Sequence, residues 1–127
     1  FASVGTNDLC QYLCAADRMN HAVKDYYQDY HPAVFRVLRD LASVFEASGK
    51  CLSICGELAG DPLAIPLLAG IGIRTLSMNE TSIARAKRVI CNMRMEEAKA
   101  LAEEALDRKS NWEIEKLLRE FQEKNRE

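Results

Sequence analysis

No apolar run in this sequence is long enough to cross a bilayer. The longest, Pro62 to Ile73, is broken by Pro66, Gly70 and Gly72, whereas a spanning helix needs about 20 apolar residues. No membrane insertion is therefore expected. Positive charge is not in excess either. Lys and Arg number 17 against 19 Asp and Glu, a net charge of -2, which argues against nucleic acid or an anionic membrane surface as partner. No signal-peptide pattern, internal repeat or low-complexity linker is present. The cysteines are five, an odd number, namely Cys10, Cys14, Cys51, Cys55 and Cys91. With no secretory signal they are expected as reduced thiols of a cytoplasmic protein. The tight C-x2-C knuckle of structural zinc sites is missing. Cys10-x3-Cys14 with Cys51-x3-Cys55 resembles a zinc set only loosely, so a cysteine metal module is a minor alternative. Cys10, Cys14, Cys51 and Cys91 are expected as small packed side chains.

What is present fits one soluble domain. The 127 residues are 48% hydrophobic and 28% charged, a balance that suits a globular chain of modest size. The chain opens on Phe1-Ala2-Ser3-Val4 without an initiator Met and reads as an internal strand of something longer. Gly5-Thr6-Asn7-Asp8 follows as a turn-forming cluster, then a short helical turn over Leu9 to Ala16 and a polar loop from Asp17 to His31. Pro32 opens a helix with Val34, Val37, Leu38, Leu41, Val44 and Phe45 on one face and Gly49 just past its end. A second strand is expected at Cys51 to Ile54. A helix over Asp61 to Ala69 follows, with Asp61 as N-cap and Pro62 at its first position. A third strand covers Arg74 to Met78. Three helices complete the chain: Thr81 to Asn92, entered through Asn79 or Thr81; Met95 to Leu106; and one that opens on the Ser110/Glu113 capping box and carries Ile114, Leu117, Leu118 and Phe121.

Strands alternating with helices imply parallel pairing through right-handed crossovers. The fold class is α/β: about three parallel strands of the C-terminal part of an eight-stranded (β/α)8 TIM barrel, plus C-terminal helices, in one partial domain spanning residues 1–127. All three strand ends carry polar or reactive groups: Thr6, Asn7 and Asp8 after the first; Cys55 and Glu57 after the second; Ser77, Met78 and Asn79 after the third. Barrel sites are built on that rim. Taken one at a time, these groups have plainer readings. Asp8 is a hard oxygen ligand of the kind Mg2+ uses, or a turn residue. Asn7 either donates its amide to an anionic oxygen or holds the turn. Arg18 makes a bidentate contact to phosphate or carboxylate, or is a solvated surface charge.

Gly5-Thr6-Asn7-Asp8-Leu9-x-Gln11-Tyr12, Ala16-Asp17-Arg18, His31-Pro32 and Cys55-Gly56-Glu57-Leu58-Ala59-Gly60-Asp61 together resemble the C-terminal part of Enzyme I, the phosphoenolpyruvate–protein phosphotransferase family of the bacterial sugar phosphotransferase system. The similarity runs from Phe1 to about Ile90. Phosphoenolpyruvate synthases and pyruvate phosphate dikinases share the Asn-Asp-Leu and Cys-Gly themes; the tail after Cys55 favours Enzyme I. The resemblance implies that Cys55 is the acid that protonates the enolate left when phosphoenolpyruvate gives up its phosphoryl group. It implies that Asp8 is a Mg2+ ligand, and that Asn7, Asp8 and Arg18 hold phosphoenolpyruvate. It also implies phosphoryl transfer to a histidine on a separate domain and then to the carrier protein HPr, with a homodimeric full enzyme. A thiol of ordinary acidity, pKa about 8.5, still carries its proton at neutral pH, as such a donor must. Gly56 and Gly60 are expected to let backbone approach the ligand. Cys10 stands where the family usually has threonine.

The family's phosphorylated histidine, its second metal carboxylate and its further substrate arginines have no counterpart in this sequence. His21 and His31 do not fill that gap, and His31 reads as a helix-entry residue. The isolated chain is therefore expected to be inactive. The alternative is a non-catalytic interaction or self-association module derived from such a barrel.

Overall fold

The computed structural model describes residues 1–125. Its order is β1 (Ala2–Gly5), α1 (Thr6–Cys14), α2 (Pro32–Ala47), β2 (Leu52–Cys55), α3 (Ile65–Gly70), β3 (Thr75–Leu76), α4 (Glu80–Asn92), α5 (Met95–Leu106) and α6 (Asn111–Lys124), with short 3-10 turns at Lys24–Tyr26 and Glu57–Gly60. The three strands form one parallel sheet in the order β1-β2-β3. This is an α/β arrangement consistent with the C-terminal part of a barrel and the helices that follow it.

Register explains what each face of the sheet does. Ala2 pairs with Leu52, and Val4, Ile54 and Leu76 form a row across the strands. These apolar side chains join the core with Phe35 and Leu38 of α2, Leu67 and Leu68 of α3, and Ile114 and Leu118 of α6. The alternate row is Ser3, Ser53 and Thr75, of which Ser3 and Thr75 are exposed. Successive residues of a strand point to opposite faces, so Cys55 shares the small, polar face with Ser53. Among the described residues, β1 and β3 each have one unpaired edge.

Helix boundaries follow their capping chemistry. His31 caps α2, its Nδ1 accepting from the Ala33 amide at 3.2 Å, with Pro32 at the first position. Asn79 caps α4 by accepting from Ser82 N–H at 3.0 Å, and Ser110 caps α6 by accepting from Glu113 N–H at 3.2 Å. The return bond of that box goes one residue further back: Glu113 Oε2 accepts from Lys109 N–H at 2.8 Å. The Lys109 amide first, and the Ser110 amide with it, hold the Glu113 carboxyl below its ordinary pKa. Arg36 of α2 donates from Nη2 to the carbonyls of Leu106 at 3.1 Å and Arg108 at 2.9 Å, tying α2 to the end of α5 and the turn that follows it.

Gly70 sets the distance between α3 and α5. A Cβ on it would lie 2.0 Å from the Ala98 carbonyl oxygen and 2.9 Å from the Ala102 Cβ, so the two helices meet at a depth only glycine permits.

The structure corrects five local expectations. Gly5-Thr6-Asn7-Asp8 is not a turn before a helix: α1 starts at Thr6, directly on the end of β1. Asn and Asp serve helix first turns as well as β-turns, and Asp8 there suits the helix dipole. The helix expected from Asp61 runs as α3 only from Ile65. Asp61 still caps the preceding turn, its Oδ1 accepting from Leu63 N–H at 2.9 Å and its main-chain carbonyl from Ile65 N–H at 3.1 Å. Pro66 has no N–H to return to the Pro62 carbonyl, so the first turn is irregular. On α2, Phe35 is fully buried while Val44 is exposed; the core stripe runs through 34, 35, 38 and 42. Cys51 and Cys91 are exposed, not packed; of the four structural thiols only Cys10 is buried and Cys14 is half-buried. The third strand is shorter than expected, although Ser77 N–H donates to the Ile54 carbonyl at 2.8 Å and extends its pairing with β2.

Candidate active site at the strand ends

The carboxyl ends of the three strands open onto one hollow of about 460 Å³, lined by Asn7, Cys55, Gly56, Glu57, Ser77 and Ser82 together with Gly60, Met78 and Asn79. Each element delivers its residue for a local reason. Asn7 is the second residue of α1, so its half-buried side chain sits at the helix N-terminus. Cys55 ends β2 on the face that carries Ser53. Ser77, Met78 and Asn79 follow β3. Ser82 is brought in by the first turn of α4, which Asn79 caps. A contact between distant elements found Ser82; the signal in the sequence was the Asn79 cap, which fixes where that turn begins.

Cys55 is half-buried, and its Sγ lies 3.6 Å from the Val4 carbonyl, to which the thiol donates. Behind it, the buried Thr6 hydroxyl donates to the Cys55 carbonyl at 3.0 Å. Gly56 follows with φ +95, a torsion that side-chain-bearing residues rarely adopt. A Cβ there would meet Thr6 Oγ1 at 2.7 Å. The need for glycine at 56 is thus set within the chain itself, by the Thr6 hydroxyl against which the loop is folded.

Asp8 and Arg18 stand apart from the hollow. Asp8 is exposed; its Oδ1 accepts from Gln11 Nε2 at 3.4 Å, and among the described residues its other oxygen has no hydrogen-bond partner. Gln11 Oε1 in turn accepts from the Arg18 main-chain N–H at 3.1 Å. One side chain therefore ties the Asp8 helix to the start of the Arg18 loop. Burial pushes the Tyr27 hydroxyl above its ordinary pKa, the Asp29 charge pushes in the same direction, and Arg18 works the other way. Asn79 Oδ1 is taken up by Thr81 and Ser82, at 2.7 and 3.0 Å, so it is a cap that lines the hollow.

Asp8 fits a Mg2+ ligand in part. It offers an exposed hard oxygen, and Mg2+ commonly takes one or two carboxylates and fills its remaining positions with water and substrate oxygens. Among the described residues there is no group of three or more His, Cys, Asp or Glu side chains placed to hold a metal ion. Among the described residues, no helix is long and apolar enough to cross a membrane.

Three parallel strands, each followed by a helix, with a thiol, an amide and a serine gathered at their carboxyl ends, define an α/β protein of the kind that builds its site on the rim of a barrel. The sequence model of the family described as PEP-utilising enzyme, PEP-binding domain, matches residues 1–95, and the chain belongs to that family. It is 44% identical over 121 residues to the phosphoenolpyruvate-protein phosphotransferase of Staphylococcus carnosus, a match covering 95% of this chain and 21% of that protein. It is 40% identical over 121 residues to the protein of the same name from Listeria monocytogenes, with the same coverage. It is also 42% identical over 124 residues to a protein of Salmonella typhimurium named for the phosphoenolpyruvate-dependent phosphotransferase system, covering 98% of this chain and 17% of the relative. The chain spans about a fifth of the length of the curated relatives it matches.

Proposed function

We propose that this chain is the C-terminal part of the phosphoenolpyruvate-binding barrel of a phosphoenolpyruvate–protein phosphotransferase. In the complete protein, the phosphoryl group passes from phosphoenolpyruvate to an enzyme histidine and then to HPr. Cys55 is the acid of that reaction. One observation carries this reading: the Cys55 thiol and the Asn7 amide meet in the same hollow at the strand ends, in a chain whose relatives bear that enzyme's name.

The chemistry follows from the residues. Transfer breaks the bond between the phosphoryl phosphorus and the enol oxygen and leaves the enolate of pyruvate. The Cys55 S–H, held meanwhile by the Val4 carbonyl, gives its proton to the enolate C3, and pyruvate is released; the thiolate recovers a proton from water. The Asn7 amide donates to an anionic oxygen of the substrate. Arg18, which stands outside the hollow, is assigned to the substrate's outer charge, which its planar pair of N–H donors would neutralise. Asp8 would supply one carboxylate oxygen to Mg2+, which when bound neutralises phosphate charge as a Lewis acid. A cytoplasmic, homodimeric enzyme of the sugar phosphotransferase system is the setting we propose.

The test uses the full-length protein that carries this chain, with phosphoenolpyruvate, Mg2+ and HPr. Pyruvate is expected to appear in step with phosphorylated carrier, and the isolated 127 residues are expected to give none above background. No pyruvate from the full-length protein, or turnover by the isolated chain, overturns the reading.

A further inference from the structure

We propose that Thr6 is a positioning residue for the Cys55 acid: its hydroxyl locks the Cys55–Gly56 peptide so that the thiol faces the hollow in one orientation. The inference rests on the functional reading above and deepens it. Two separate observations carry it. First, Thr6 is buried, and its Oγ1 donates to the Cys55 carbonyl at 3.0 Å across 49 residues of sequence. Second, the space in front of Gly56 is filled by that same oxygen, which would lie 2.7 Å from a Cβ at position 56.

The physical need for a lock comes from the glycine. Gly56 has φ +95 and ψ -174, and a peptide flanked by glycine rotates with little steric resistance. The parallel ladder between β1 and β2 ends at the Gly5–Cys55 pair, so regular pairing does not extend to the peptide that follows. The Thr6 hydroxyl supplies the missing restraint. Because Thr6 is also the first residue of α1, the same bond fixes the Asn7 end of that helix relative to Cys55. With the backbone held, moving the thiol from the Val4 carbonyl to a substrate carbon takes rotation of its side chain alone. Placement errors of about 1 Å in a reacting group cost on the order of 100-fold in rate, so loss of the lock acts on the proton-transfer step more than on binding.

The experiment measures pyruvate formation by the full-length enzyme carrying Thr6→Val, which keeps the shape and removes the hydroxyl, and Thr6→Ser, which keeps the hydroxyl. Thr6→Val is expected to lower kcat by about 10- to 100-fold with the KM for phosphoenolpyruvate within about threefold of wild type. Thr6→Ser is expected to restore kcat to within about threefold of wild type by the same reasoning. If Thr6→Val does not fold, as judged by its melting transition, Thr6→Ala is measured in its place and read in the same way. Wild-type kcat in the variant without the hydroxyl, or an equal loss in Thr6→Ser, overturns the assignment to Thr6. A wild-type enzyme that forms no pyruvate overturns the functional reading instead, so the two failures are distinguishable.

Discussion

Burial and a neighbouring thiol give Cys10 a proton that the folded chain does not readily release. It is 2% exposed, its Sγ donates to the Gln28 carbonyl at 3.2 Å, and Cys14 Sγ lies 3.9 Å away. Burial first, then Cys14, pushes its pKa from the ordinary 9.0 up to about 12. The folded state therefore holds this proton more tightly than the unfolded chain does. The stabilisation is full below pH 9 and is lost as the pH rises toward about 12. Cys10→Thr removes the titrating group. Urea titrations at pH 8 and pH 10 are expected to show wild type losing stability relative to Cys10→Thr, by up to about 1.4 kcal/mol per pH unit above 9; parallel losses would contradict the account. At this scale the sequence was most informative where a reactive group followed a strand, since a strand end fixes the rim on which Cys55 and Asn7 lie. Asp8 and Arg18 were equally visible as residue types, but their distance from the hollow depends on the rise of α1 and the path of the loop after it. The partnership of Thr6 with Gly56 joins residues 50 positions apart and has no local signature.

Among the elements, α3 and α5 pack more closely than any periodicity predicts. The Gly70 site leaves no room for a side chain, because the obstruction is the Ala98 carbonyl, which is backbone. Gly70→Ala is expected to cost about 1–3 kcal/mol, the usual range for overpacking, and to lower the melting temperature measured by circular dichroism. An unchanged melting temperature would show that the two helices part freely at this point. Element boundaries were legible where a side chain caps them. Pro32 after His31, Asn79 before α4 and Ser110 before α6 all stand at helix starts, because their capping hydrogen bonds are local. Boundaries set by other means were not. The start of α1 has Gly5 as N-cap with no side-chain bond, and α3 is delayed by the proline at 66. The apolar face of α4 shows the same limit: Ile83 and Ile90 repeat at helical spacing, yet only Ala86 on that helix is buried.

For the molecule as a whole, the sheet has one face packed on the core and one small, polar face that carries Cys55. Ile54 is buried and Val4 and Leu76 are partly buried against the core, while the row Ser3, Ser53 and Thr75 lies on the opposite face. The strand–helix alternation that predicted parallel pairing is a property of the whole chain, and so the fold class was readable before any contact was known. The shape of the hollow was not, because it depends on where the Glu57–Gly60 turn and the first turn of α4 come together. The role proposed for the hollow turns on Cys55 giving the enolate its proton. The most direct measurement is the kcat for pyruvate formation by the full-length enzyme carrying Cys55→Ala, with KM for phosphoenolpyruvate measured alongside. Loss of a general acid predicts a fall of about 100- to 10,000-fold in kcat with KM little changed; a Cys55→Ala enzyme that turns over at the wild-type rate would contradict it.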